Sequence, residues 1–311
     1  MTASIDLRVW RQFLAVAEEL HFGRAAVRLH MTQPPVTQAI AQLEAAIGVR
    51  LFDRTRRSVA LTPAGEALVA DVRELLARAR ALPARARAAA AGEVGRVRLA
   101  FVSTIGFERL PAWVREFRTL CPQVALELVE ATGDVQLEAL ARGEIDAGLM
   151  LHSPGFAPAG LKRVAVAAEP LVLAVPARHP LARAKQLTLD TVLAEPLVVF
   201  PRRILPSVHD AIFALYHAAG RVPAIAQEAI QMQTIVNLVS GGLGVAWVPE
   251  SVTQFRREGV VYRDPAEFTA RGRRRAALAL PGCETSLVWP AQNDNPALGR
   301  FVDFVRERGG K

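Results

Sequence analysis

Between positions 32 and 42 the chain carries Thr32, Gln33, Thr37, Gln38 and Gln42, side chains that donate and accept hydrogen bonds without bearing charge. That is the chemistry of nucleotide base edges. A glutamine can pair in bidentate fashion with adenine, and a threonine methyl can pack on the thymine methyl. Gln33, Thr37 and Gln38 are the expected base readers, with Thr32, Pro34 and Gln42 completing the same surface. Arg24 and Arg28 precede this stretch and suit phosphates, while Arg54, Arg56 and Arg57 follow it and suit phosphates or a narrowed minor groove.

Side chains can act together in this way only if a helix holds them on one face. Val36, Ile40, Leu43 and Ile47 recur at spacings of 4, 3 and 4, which gives the opposite face to a core. Thr32 stands where a cap is needed, and Pro34 and Pro35 fall in the first turn, where missing amide hydrogens cost nothing. Upstream, Leu7, Trp10, Phe13, Leu14, Ala17 and Leu20 predict an amphipathic helix. HFGRAAVRLH predicts a second, closely packed through Ala25 and Ala26, anchored by Leu29 and ended by a turn at His30 and Met31. Downstream, Leu51, Phe52, Val59 and Leu61 flank the arginine-rich tip of a two-stranded wing. Thr62 and Pro63 then open a long helix. Leu68, Val72, Leu75, Ala79, Leu82, Ala86 and Ala89 lay a heptad seam along it, which Pro83 should kink or shorten.

From Gly95 the rhythm changes to apolar runs alternating with helical patterns, the sign of βαβ units. VRLAF, VALELVE and IDAGLML read as strands, separated by helices near Ile105 to Leu120 and Val135 to Ala141. A second set starts near Lys162 with LVLAV, LVVF, AIAQE and GGLGVAWVPE, and the chain closes with RAALALP and a helix near Pro296 to Arg308. Two α/β lobes follow, with the last strand and helix returning to the first lobe and a cleft between the lobes. Ser103 and Thr104, Thr132 and Gly133, and Pro201 with Arg202 all fall at carboxyl ends of strands, where open α/β sheets take ligands. Hydroxyls and free amides at such helix starts suit an anion such as a carboxylate.

The rest of the composition mainly excludes. At 311 residues the chain holds two or three domains, and 51% hydrophobic content supports a sizeable core. The +8 formal charge is uneven, since residues 1–90 hold 13 arginines against 8 acids. Such an excess favours a polyanion, although abundant arginine and only three lysines, Lys162, Lys185 and Lys311, also fit a compositional bias. No long charge-free apolar run and no basic, apolar leader occurs at the start, so the expected place is the cytoplasm and no membrane partner is expected. Cys121 and Cys283 are too few for a disulfide framework and read as buried thiols in a reducing compartment. The six histidines show no metal-ligand spacing and no GxSxG elbow is present, so neither a metal nor catalytic residues are expected. GGLG at 241–244 precedes a strand and reads as a turn, so no cofactor is expected.

The stretch WRQFLAVAEELHFGRAAVRLHMTQPPVTQAIAQLEAAIGVRLFDRTRRSVALTPAGEAL resembles the DNA-binding domain of LysR-type transcriptional regulators. EALARGEIDAGLM and IVNLVSGGLGVAWVPE follow in the family's order, and LHFGRAA, TQPPVTQAI and FVSTIGFERLP are similar to its aromatic-compound-degradation branch. The resemblance implies an N-terminal winged helix-turn-helix (all-α with a β wing) at 1–62, a linker and dimerisation helix at 63–92, and an effector-binding domain at 93–311. That last part is implied to be an α/β, two-lobed, periplasmic-binding-protein-like (type II) fold, with lobe I at about 93–162 and 267–311 and lobe II at about 163–266. Effector-binding positions implied are Ser103, Thr104, Thr132, Gly133, Leu151, Pro201, Arg202 and Met232. Where relatives of that branch often carry an arginine after the DAG strand, this chain has Leu151 and then His152; Arg202 could take over as acid anchor or be an exposed arginine beside a turn.

The expectation is therefore a non-enzymatic regulator that binds a pseudo-palindromic double-stranded DNA operator as a homodimer, assembled further into a homotetramer. A small organic effector, carboxylate or aromatic, would control it, and RNA polymerase is a further partner to consider. The alternatives are a solute-binding protein or small-molecule enzyme built on the two lobes, and a redox-sensing regulator of the same fold.

Overall fold

The computed structural model describes residues 5–55, 58–107, 109–269 and 280–309. The chain divides into two compact units, Met1–Arg87 and Ala88–Lys311.

In the first unit, α1 (Leu7–Glu19), α2 (Phe22–Arg28) and α3 (Gln33–Ile47) precede an antiparallel hairpin of β1 (Phe52–Arg54) and β2 (Val59–Leu61). The helix α4 (Pro63–Ala90) follows. Phe13, Val16, Ala25, Val36, Ile40, Leu43, Leu51 and Phe52 form the core, with Val72 and Leu76 added from α4. Phe52 seals it, its ring centroid 5.5 Å from that of Phe13 and 6.0 Å from that of Phe22. The small residues Ala25 and Ala26 are buried, which lets α2 lie close to its neighbours. Leu7 and Leu20 are exposed instead of packed, and Leu20 ends α1 in the left-handed conformation.

Pro83 does not shorten α4, which runs on to Ala90. A proline inside a helix deprives one carbonyl of its amide partner, but residues around 80–87 are exposed and water can satisfy it. The seam expected along α4 divides. Val72 turns into the core beside Leu76, while Leu75 and Leu82 remain exposed.

The second unit continues with β3 (Gly95–Phe101), α5 (Ser103–Gly106), α6 (Arg109–Leu120), β4 (Val124–Glu130), α7 (Gly133–Ala141), β5 (Ala147–His152) and β6 (Leu161–Pro176). Next come α8 (Pro180–Arg183), β7 (Leu187–Thr188), α9 (Leu189–Val192), β8 (Leu197–Val199), a 3-10 turn at Arg202–Ile204, α10 (Pro206–Ala218), β9 (Ile225–Glu228) and α11 (Met232–Ser240). The described chain closes with β10 (Ala246–Pro249), β11 (Val260–Arg263), β12 (Phe268–Thr269), β13 (Gly282–Pro290) and α12 (Pro296–Arg308). Two departures from expectation stand out. The helix expected near 105–120 is two helices, and the closing strand lies at Gly282–Pro290. RAALALP falls largely on 270–279, outside the described residues.

The main sheet runs β10-β6-β13-β5-β3-β4, with β11 also on β6. β3 is parallel to β4 and β5, whereas β13 is antiparallel to β5 and β6. LVLAV is the second half of a 16-residue strand. The first half of β6 pairs with β13 through Leu161 to Pro170, and the second half pairs with β10 and β11. One strand thereby enters two cores. Val97, Leu99, Phe117, Leu149, Leu287 and Phe301 centre one, and Leu173, Val198, Ile212, Tyr216, Val236 and Val248 centre the other.

Two glycines test this packing in opposite directions. A Cβ on Gly65 would sit 2.2 Å from the Leu51 carbonyl oxygen, so Gly65→Ala is expected to cost about 1–3 kcal/mol by overpacking. Gly299, exposed inside α12, has open space around its Cβ position, and Gly299→Ala should stabilise by about 0.5–1 kcal/mol. Thermal and denaturant unfolding of both variants measures the two signs.

Candidate nucleic-acid interface and ligand cavity

Gln33, Pro34, Gln38 and Gln42 are exposed along α3, and Val36, Ile40 and Leu43 are buried beneath them. Thr37 is half-buried; its hydroxyl donates to the Gln33 carbonyl at 3.1 Å, which leaves its methyl as the free end. Thr32 occupies the N-cap position, but its side chain makes no cap hydrogen bond. The reason is in the sequence: a cap accepts from the second or third amide of the helix, and here those residues are Pro34 and Pro35. The Thr32 hydroxyl, exposed at the helix start, is left for an outside partner.

The arginines expected at phosphates are held by carboxylates. Arg24 donates to the Glu19 carbonyl at 2.6 Å and lies 3.5 Å from its carboxylate. Arg28 pairs with Glu18 at 2.7 Å and Glu19 at 3.4 Å, and Arg73 of α4 pairs with Glu18 at 2.8 Å. Arg54 pairs with Glu44 at 2.8 Å while its guanidinium sits 4.8 Å over the Phe22 ring. Glu44, which sequence reasoning passed over, also accepts the Leu51 and Phe52 amides at 2.9 and 3.1 Å, so one carboxylate of α3 fixes the start of the wing and aims Arg54. Its only signal was an acid on an otherwise uncharged helix. Arg56 and Arg57 lie outside the described residues.

In the second unit a cavity opens at the carboxyl ends of the parallel strands. Ser103 and Thr104 reach it after β3, Thr132 and Gly133 after β4, Leu151 from β5, and Met232 after β9. Pro201 and Arg202 are not among its lining residues; Arg202 is held in a bidentate pair by Asp210, both contacts at 2.7 Å. The pair holds the Asp210 carboxyl below the usual range through its hydrogen bonds from Arg202. An arginine so engaged beside a turn leaves the cavity without that anchor. His152 is turned away too, its ring nitrogens 2.8 Å from the Ser153 carbonyl and 3.0 Å from the Ser286 hydroxyl. Sequence reasoning missed Ile204, Leu205, Ile230 and Glu130, which also line the cavity. Glu130 alone had a visible signal, since it directly precedes the turn that carries Thr132.

Cys283 is buried, and burial pushes its thiol well above the ordinary range with Glu169 adding to the effect, the reverse of what a reactive thiolate needs. Among the described residues no acid, histidine and cysteine cluster fit for a metal occurs, and no helix is long and apolar enough to cross a membrane.

A helix-turn-helix with a wing, joined to an α/β unit with a cavity at its strand ends, defines a ligand-responsive DNA-binding protein. Residues 7–66 match the bacterial regulatory helix-turn-helix protein, lysR family, and residues 90–310 the LysR substrate binding domain. The chain belongs to the LysR family of transcriptional regulators, a family of regulators and not of enzymes. It is 42% identical to the HTH-type transcriptional regulator IlvR of Caulobacter vibrioides over 98% of this chain and 99% of that one. It is 36% identical to the HTH-type transcriptional regulator AlsR of Bacillus subtilis over 96% of this chain and 94% of that one. The crystal structure of full-length CbnR complexed with target DNA matches with a TM-score of 0.76 at 32% identity, covering 98% of this chain and 99% of that one. The protein is thus a LysR-type DNA-binding transcriptional regulator with an effector-binding domain.

The ion pairs beneath α3 make a pH prediction. The hydrogen bond from Arg73 holds the Glu18 carboxyl below its ordinary range, against an opposing push from burial and with Arg28 adding to the depression. A carboxylate depressed by folding contributes stability that is present above its unfolded value and lost as pH falls through the folded one. Glu18→Gln should lower the melting temperature at neutral pH, and its gap from the parent should close below about pH 4. A gap that stays constant down to acid pH would show that Glu18 carries no such linkage.

Proposed function

We propose that α3 reads base edges in a major groove through Gln33, Thr37, Gln38 and Gln42, with Thr32 and Pro34 at its entry, while Arg24, Arg28, Arg54, Arg56 and Arg57 engage the backbone. The observation that carries this reading is the start of α3: an exposed, uncharged hydrogen-bonding face whose first turn cannot be capped from within because its second and third residues are proline. The solved CbnR complex, in which a similar chain is bound to its target DNA, supports it. Residues 63–92 join two chains, with the exposed Leu75 and Leu82 of α4 as the remaining seam, and the homodimer presents two recognition helices to a pseudo-palindromic operator. Two dimers form a homotetramer in the cytoplasm, where the complex acts on RNA polymerase recruitment.

The effector-binding domain takes a small organic effector in the cavity lined by Ser103, Thr104, Thr132, Gly133, Leu151 and Met232. A ligand shifts the regulator only if it binds one arrangement of the subunits better than another. Leu151 in place of an arginine bears on which effector fits, since a carboxylate must then be held by amides and hydroxyls.

Footprinting and salt titration on the gene's own promoter test the DNA reading. Gln33→Ala should cut discrimination between operator and scrambled duplex by about 1–3 kcal/mol. Arg54→Ala should weaken both alike and reduce the slope of log affinity against log salt by about one. A dimer with no preference for any promoter segment would refute the assignment.

A further inference from the structure

The cavity of the second unit restricts its own ligand in charge and in donors. Among the described residues that line it, Glu130 is the only charged one. Leu151 holds the position after the DAG strand, His152 faces Ser153 and Ser286, Arg202 is engaged by Asp210 and Arg203 lies 3.9 Å from Asp134, so among the described lining residues no cation side chain meets an acid. The donors come from elsewhere. α7 and α11, nine residues each, begin at the cavity, and their N-cap residues Thr132 and Gln231 make no side-chain cap hydrogen bond. The first-turn amides of both helices therefore keep their hydrogens for an acceptor. Thr132 gives its hydroxyl to Asp134 at 2.5 Å instead. Thr104, only 3% exposed, lines the same cavity with its hydroxyl buried and without a partner. A buried hydroxyl in that state carries an unmet desolvation cost that a ligand can relieve.

We infer that the effector is a monocarboxylate with a hydrogen-bond donor next to its carboxyl group, that is, a 2-hydroxy or 2-amino acid with an apolar side chain. This rests on the cavity being the effector site. The carboxylate meets the amides of α7 and α11 and the Thr104 hydroxyl. The hydroxyl or ammonium faces Glu130, and the side chain meets Leu151, Ile204 and Met232. A second carboxylate would have to lie against Glu130 with no cation between them, so dicarboxylates are rejected by the same residue that selects the donor.

Calorimetry and thermal shift on the purified full-length protein test this with L-2-aminobutyrate, (S)-2-hydroxybutyrate, butyrate, benzoate and succinate as probes. One of the first two should raise the melting temperature and bind at least tenfold tighter than butyrate, and which of the two does so separates the amino from the hydroxy source. Thr104→Val should lose tenfold or more of that affinity while the free protein melts no lower than the parent, because the partnerless hydroxyl is gone. Thr104→Ser, which keeps the hydroxyl, should retain binding. Glu130→Gln should erase the preference over butyrate. Tighter binding of benzoate or succinate, no binding of any probe, or tight binding that Thr104→Val leaves unchanged each overturns the inference. Those results leave the promoter footprint standing; a lost footprint with intact probe binding defeats the DNA assignment alone.

Discussion

Every α-helix leaves its first amides without partners inside the helix, and the way this chain distributes that deficit sets its ligand cavity apart. Asp6, His21, Thr62, His179, Thr188 and Asn295 cap α1, α2, α4, α8, α9 and α12 with side-chain acceptors. The helices whose described N-cap makes no such bond are α3, α5, α7, α10 and α11. α3 is the helix with the exposed Gln and Thr face, and Ser103, Gly133, Leu205 and Met232, at or beside the starts of the other four, all line the one cavity. Capping an exposed helix start is worth about 1 kcal/mol. Forgoing it in α5, α7, α10 and α11 is consistent with amides kept for a ligand, whereas α3 is uncapped because Pro34 and Pro35 have no amide hydrogen to offer.

The open helix starts converge only because of what lies beneath them. β6 and β13 pair antiparallel from Leu161 with Pro290 to Pro170 with Gly282, and β6 then continues into the second core to pair with β10 and β11. The strand ends that carry Ser103, Thr132 and Leu151 belong to the same sheet as this pair, while β8 and β9, a separate parallel pair bridged to Val245, bring Ile204 and Met232 from the other side. Glu169 fixes the middle of β6 to the 3-10 turn that follows β10, accepting from the Ser251 amide and hydroxyl at 2.5 and 3.1 Å.

Much of this was legible where local chemistry decides. The Val36, Ile40, Leu43 spacing predicted the buried side of α3, and VALELVE coincides with β4. The failures have physical causes. β13 was not legible because the polar Glu284, Thr285 and Ser286 interrupt its apolar pattern, yet Thr285 and Ser286 are buried there, the Ser286 hydroxyl bonded to His152. The length of β6 was hidden because its first half alternates burial and its second half is wholly buried, so the two halves carry different patterns. Ser103, Thr104, Thr132, Gly133, Leu151 and Met232 came together as the strand-end rule requires. Arg202 did not, since the sequence cannot show that Asp210, one helix turn into α10, takes its guanidinium.

The same difficulty bears on how the DNA surface works. Arg24, Arg28 and Arg54 each have a carboxylate partner, so on the proposed reading docking would exchange one anion for another instead of neutralising a bare charge. The exchange costs little, because exposed ion pairs are worth about 0–1 kcal/mol. It also yields less than the arginine count suggests, since each released carboxylate remains near the duplex and repels it. The partners bring order in return: Glu18 ties α1 to α2 and α4 through Arg28 and Arg73, and Glu44 ties α3 to the wing through Arg54. With the arginines positioned and partly neutralised, discrimination would fall to the uncharged face of α3. There, on the proposed reading, Thr32 and the glutamines would meet base edges at a helix start that Thr32 does not cap.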